Sequence, residues 1–166
     1  MALCKCGYGS LKKAAYLMNE NSCFREEINA ILAEEGLQYE AGIDIMHLLT
    51  VLYKEVGLEA IKDKITRPYE NLKVATHYGC HALRPSQVTQ FDDPVAPTLF
   101  DELVNITGAK SIEWAMKLEC CGGPLLGVND ELSFLYSHLL GLCLGLDKEA
   151  LGFDSRRAEI ENFLAS

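Results

Sequence analysis

At 166 residues, with 49% hydrophobic and 23% charged side chains, the chain has the length and balance of one globular domain, which buries about two-thirds of its unfolded surface. No apolar run approaches the roughly 20 residues that cross a bilayer, and the first turns carry lysines without the apolar stretch and cleavage site of a secretory signal, so a cytoplasmic location is expected. A net charge of −9 with fifteen scattered basic residues argues against a nucleic-acid binder, and seven cysteines, an odd number, favour metal or redox use over a disulfide framework.

Phe24, Ile28, Ile31 and Leu32 recur at helical spacing after Asn21 and Ser22, which can cap, and Gly36 ends the run. This predicts an amphipathic helix with one stripe toward a core. Ile43 and Ile45 alternate with Asp44 as a short strand does, and Leu48, Leu49, Leu52 and Val56 return to helical spacing. Past Pro68, the residues Leu72, Val74, Thr76 and Tyr78 fall on one face of a predicted strand that runs into Cys80. From 81 to 97 three prolines and a polar stretch predict an irregular loop long enough to cover a site. Thr98 then caps a predicted helix with Leu99, Leu103 and Ile106 on its apolar face and Gly108 at its end, and Ile112, Trp114 and Met116 alternate toward Cys120 and Cys121. Strands alternating with helices indicate an α/β fold, a parallel sheet with crossover helices, in which sites gather beyond the carboxyl ends of strands.

Both cysteine groups are expected at such ends. Cys80 follows one predicted strand, and Cys120, Cys121, Gly122 and Gly123 follow another, so three thiols can converge across forty residues of chain. Adjacent cysteines seldom both serve one tetrahedral zinc, whereas a cluster of several irons offers separate attachment points and paired glycines admit close backbone approach. Iron–sulfur is therefore favoured, with zinc on the three thiolates plus His81 or His77 as the alternative. Cys23 and Cys143 sit in apolar helical patterns and read as small core residues, and His47 and His138 as core histidines bonded locally. Arg67 and Arg84 are candidates for attracting an anion, although a solvated or ion-paired arginine is the commoner outcome.

HYGCHALRPS at 77–86, FDDP at 91–94 and CCGGPLLG at 120–127 resemble the CCG-motif family of cysteine-rich domains, whose best-known member is the B-type subunit of heterodisulfide reductase. The likeness extends over GSLKKA at 9–14, over 39–52, and over SHLLGLCLGLDKEALGF at 137–153. It points to a single CCG domain over 1–166, corresponding to the carboxy-terminal half of that subunit. In the family, each motif runs Cys, then Cys-Cys-Gly, then Cys-x-x-Cys, and holds a non-cubane [4Fe-4S] cluster at which a disulfide is reduced. The resemblance thus implies Cys80, Cys120 and Cys121 as cluster ligands and His81 as proton donor to a departing thiolate. It also implies a heterodisulfide of coenzymes M and B, or an analogue, as substrate, and iron–sulfur and flavin subunits as partners. Two departures stand out. After Leu132 the sequence passes directly to FLYSHLLGL without a Cys-x-x-Cys segment, leaving Cys143 or an outside ligand to complete the set. In CKCGYGSL at 4–11, Cys4 and Gly7 stand where another Cys-x-x-Cys would, with Cys6 one place out of register. A zinc-binding or cofactor-free interaction module derived from such a subunit is the alternative reading.

Overall fold

The computed structural model describes residues 1–119 and 136–147. Helix α1 (Lys5–Glu20) turns one side inward, burying Tyr8, Ala15 and Met18, and Asn21 separates it from α2 (Ser22–Leu32). Asn21 is in extended conformation and its side chain accepts from the Phe24 N–H at 3.0 Å, satisfying one of the donors that a helix start leaves open. A 3-10 turn (Ala33–Glu35) follows and closes on Gly36 at φ 69°, as the sequence indicates. The expected core stripe on α2 is only half-realised: none of its residues is buried, and Phe24 and Ile31 are exposed.

No strand forms at Ile43 and Ile45. Instead the chain edge at Ala2 makes a parallel bridge to His47, with Ala2 N–H donating to the Met46 carbonyl and the Ala2 carbonyl accepting from Leu48, both at 2.8 Å. The predicted helix over 48–56 starts as α3 (Leu48–Thr50) but widens into a π turn (Val51–Val56) that ends at Gly57, which leaves Val56 exposed; α4 (Leu58–Lys62) completes this arm.

Among the described residues the sheet is two-stranded and parallel. Strand β1 (Lys73–Val74) pairs with β2 (Lys110–Ser111) in the register Lys73 to Lys110 and Val74 to Ser111. Both predicted strands are longer than the observed ladder, and the second lies just before the stretch that alternates in sequence, whose Met116 is exposed in a turn. Pairing nevertheless continues irregularly, through Ile112 N–H to the Val74 carbonyl, the Trp114 indole to the Thr76 carbonyl at 2.6 Å, and Tyr78 N–H to the Lys117 carbonyl at 3.0 Å. The one-sided face of the first strand is correct, since Thr76 and Tyr78 are buried.

The crossover between the strands carries α5 (Cys80–Leu83), α6 (Ser86–Thr89) and α7 (Leu99–Asn105). The segment expected as a covering loop is thus part of the core: Ala82, Leu83, Val88 and Phe91 are all buried. Thr98 does not cap α7 with its side chain; Asp92 does, accepting from the N–H groups of Thr98 and Leu99 at 2.8 and 2.7 Å, while Asp93 accepts from Val95 and Ala96. The FDDP motif is therefore a core anchor followed by two backbone caps. Leu99, Leu103 and Val104 of α7 meet Tyr78, Leu83 and Phe91 in the centre of the core, and α8 (Tyr136–Cys143) adds Leu140 and Cys143. Gly108 closes the α7 corner at φ +87°, where a Cβ would stand 2.8 Å from that of Pro68. No described helix is long and apolar enough to cross a membrane.

Candidate metal and redox site

Cys80 is half-buried at the first position of α5, directly after Gly79 at φ 72°. Cys120 and Cys121 lie outside the described residues, but the approach to them does not: Lys117 pairs through its carbonyl with Tyr78 N–H. The two segments that lead to the predicted thiols therefore run side by side two and three residues short of them.

One carboxylate ties this junction together. Asp101, on the first turn of α7, accepts from the Thr76 hydroxyl at 2.7 Å, the Tyr78 hydroxyl at 2.8 Å and the Ser111 hydroxyl, and forms an ion pair with Lys117 at 2.9 Å. Burial alone would raise its pKa, but the donors from Ser111, Lys117, Thr76 and Tyr78 outweigh it and hold the carboxyl below the usual range. Lys117 also pairs with Glu113 at 2.7 Å; the two carboxylates together outweigh its burial and raise its pKa. Burial drives the Tyr78 phenol strongly upward, so it remains a neutral donor, and its oxygen in turn accepts from the Phe100 and Asp101 N–H groups. Lys117, although charged, is almost wholly buried, and its paired geometry is what makes that tolerable. Sequence reasoning missed this network, because nothing in the pattern distinguishes Asp101 from any acidic residue in a helical first turn.

His81 is exposed on α5 and lies with Nδ1 3.1 Å from the Cys6 sulfur, a contact spanning 75 residues of sequence. Helix α1 reaches α5 closely because Gly9 has no side chain: a Cβ there would stand 2.5 Å from the His81 carbonyl oxygen. Lys5 donates to the His77 carbonyl and lies 5.2 Å from the Phe100 ring centre, while Tyr8 donates to the Thr89 carbonyl. His77 is half-buried and tilted against Trp114 at 5.8 Å; burial first, and Lys5 second, lower its pKa. Spacing gives no hint that α1 meets α5; the one signal in the sequence is that Cys4, Lys5 and Cys6 lie in a cysteine-bearing segment of their own, at 4–11.

The remaining cysteines divide. Cys143 is fully buried, its thiol 3.8 Å from the Thr107 carbonyl and its pKa pushed up to about 11 by burial, which matches a core residue and speaks against a ligand. Cys23 is exposed, contrary to the core reading, because α2 does not bury that face. His47 is the core histidine expected, 3% exposed, with Nδ1 accepting from Leu49 N–H at 3.1 Å and its pKa lowered to about 4, chiefly by burial. His138 belongs to a part of α8 whose side chains are outside the described set. Arg67 and Arg84 are exposed.

Among the described residues no group of three or more His, Cys, Asp and Glu side chains is arranged to hold a metal ion, and two of the three predicted ligands are not in that set. The donor set itself, a half-buried thiol entering beside the segment that carries two more, suits a soft, multi-iron group in kind.

Residues 74–137 match the family model of the cysteine-rich domain CCG. The B-type subunit of a ferredoxin:CoB-CoM heterodisulfide reductase from Methanosarcina mazei is 38% identical over 143 residues, 84% of this chain and 47% of that protein. A protein from Archaeoglobus profundus that is named as similar to the B-type subunit of heterodisulfide reductase is 38% identical over 137 residues, 81% and 46% respectively. The membrane anchor subunit of an 8-methylmenaquinol:fumarate reductase from Wolinella succinogenes is 38% identical over 98 residues, 59% of this chain and 34% of that protein. The chain spans about half the length of the two heterodisulfide reductase relatives.

Proposed function

Since this chain belongs to the CCG family of cysteine-rich domains and is similar over most of its length to the B-type subunit of heterodisulfide reductase, we propose that it is a disulfide-reducing redox subunit carrying an iron–sulfur cluster. Cys80, Cys120 and Cys121 are the residues that would hold the cluster, of the non-cubane [4Fe-4S] type. When bound, such a group would supply single electrons and a thiophilic metal; zinc binds thiolates but has no redox chemistry. The observation that carries the reading is the pairing of Tyr78 with Lys117, locked by Asp101, because it brings the feeding segments of the thiols together.

The chain's own residues have separate tasks. Asp101 fixes the spacing of the two segments. His81, exposed on α5 next to Cys80, protonates the thiolate released from the substrate. Arg84, exposed four residues beyond Cys80, attracts the anionic groups of a disulfide such as that of coenzymes M and B or an analogue. Electrons arrive from partner iron–sulfur and flavin subunits, in keeping with relatives that are themselves named as subunits of reductases.

Anaerobic reconstitution with iron and sulfide tests this. A brown protein holding both, whose absorbance is lost in Cys80→Ser, is the expected result. A colourless, iron-free product sinks the proposal and favours a cofactor-free interaction module; zinc in its place favours the tetrahedral alternative. In the loaded protein, His81→Ala slows disulfide reduction by about a hundredfold while the cluster spectrum is unchanged.

A further inference from the structure

One side of α2 carries an ordered apolar stripe inside an acidic field. Phe24, Ile28 and Ile31 recur at i, i+4 and i+7 and so share a side of the helix; Phe24 and Ile31 are exposed and Ile28 is half-buried. The stripe continues past the helix end. Leu37 N–H bonds back to the Leu32 carbonyl at 3.0 Å and Gly36 N–H to the Ala33 carbonyl at 3.1 Å, the paired closure that turns the following apolar side chain over the last helical turn. Leu37 is exposed there. Asn29 fixes the returning chain, its amide donating to the Tyr39 carbonyl at 3.2 Å and its oxygen accepting from Tyr39 N–H at 2.8 Å. The face is therefore set before anything binds, which lowers the ordering cost of an encounter.

Charge decides what can lie on this face. Residues 20–44 hold seven acidic side chains against one basic one, so most of the chain's net charge of −9 is concentrated here. Glu27, Glu34 and Glu35 are exposed and stand three or four residues from Ile31, along the stripe. The one arginine, Arg25, donates to the Met18 carbonyl at 3.1 Å, and Lys12 reaches from α1 to Asp44 at 3.5 Å. Like charge disfavours a second copy of the same face, an anionic membrane and nucleic acid alike. A stripe one helix wide suits contact with another helix better than with a broad surface. We propose that this face docks a basic amphipathic helix of a partner protein, its apolar side chains on Phe24, Ile31 and Leu37 and its lysines or arginines against Glu27, Glu34 and Glu35. The docking needs no cluster, and it stands or falls separately from the iron–sulfur reading.

The test titrates the full chain, labelled for amide NMR, with three synthetic helical peptides: one of leucine and lysine in amphipathic order, one with glutamate for lysine, and one with glutamine for leucine. The leucine–lysine peptide is expected to bind with a Kd on the order of 10 μM at low salt and to shift amides concentrated between residues 24 and 37. The other two bind at least about tenfold more weakly, because one lacks the charge and the other the apolar contact. Ile31→Ala weakens the leucine–lysine peptide about fivefold, and Glu27→Lys combined with Glu34→Lys reverses the preference between the lysine and glutamate peptides. Shifts centred outside α2 and its following turn, or equal binding of the glutamate peptide, overturn the proposal. So does self-association in sedimentation that Ile31→Asp abolishes, which makes a second copy the occupant, and so does co-sedimentation with phosphatidylglycerol vesicles that Ile31→Asp abolishes, which makes it a membrane. The mapping needs no variant, so it holds even where a substitution disturbs folding.

Discussion

Two stretches of this chain carry apolar residues at helical or strand spacing, and they end in opposite surroundings. In the arm from α2 to residue 46, Ile31, Leu37 and Ile43 are 62%, 60% and 60% exposed; in the stretch from β1 through α7, Tyr78 and Leu103 are fully buried. Periodicity sets how a segment coils, but burial depends on what arrives from elsewhere in the chain. Around α7 the arriving groups are α3, β2, the core residues of α5 and α8 and the polar network on Asp101, whereas α2 touches mainly α1 and its own 3-10 turn.

The contrast is broken most directly at Leu103. Leu103→Ala leaves a cavity at the centre of the core and destabilises the fold by about 3 kcal/mol in urea titrations, while Ile31→Ala stays within about 0.5 kcal/mol. Comparable losses at the two sites would mean that the arm is packed after all. Next in size is Asp101→Asn, which keeps the shape but leaves Lys117 with the exposed Glu113 as its carboxylate; a loss of about 2 kcal/mol is expected, together with weaker iron uptake on reconstitution. Unchanged iron content alongside lost stability would separate the core role of Asp101 from its positioning role.

A pH titration of stability sharpens the comparison further. The unfolded chain binds a proton at His47 near pH 6.5, which the folded chain refuses until about pH 4. The folded state is thus at full strength above this window and weakens as pH falls through it, by an amount on the order of 1.5 kcal/mol. Asp101 adds a second loss at lower pH, because its depressed carboxyl stabilises the fold only while ionised. In His47→Asn, which keeps a side-chain acceptor at this cap, the slope between pH 6.5 and 4 should flatten. The smallest effect belongs to the arm: Asn21→Ala removes the cap of α2 at a cost of about 1 kcal/mol, seen as local fraying by circular dichroism.

Features that depend on near neighbours were legible in the sequence. The Asn21 cap, the left-handed Gly36, the Leu99 and Leu103 face and the inward side of Thr76 and Tyr78 all follow from spacing within one element. The Ile43 strand failed because an alternating triplet forms a strand only if another edge offers hydrogen bonds, and here Ala2 pairs with His47 instead. The π turn after α3 and the capping of α7 by Asp92 depend on tertiary fit and a six-residue reach. Within the candidate site, Cys80 and His81 stand out in the sequence only as candidates offered by their motif, whereas the approach of Cys6 to His81 and the four donors on Asp101 join residues that no local pattern connects.

The hydrogen bond from Tyr78 N–H to the Lys117 carbonyl gives this molecule a built-in gauge. An amide exchanges with solvent deuterons only when its bond opens, so the protection factor at residue 78 reads out how often the segments leading to Cys80 and Cys120 come apart. Exchange at that one backbone position, followed with and without iron and sulfide, reports the mechanical coupling between the two segments without any label on a cysteine.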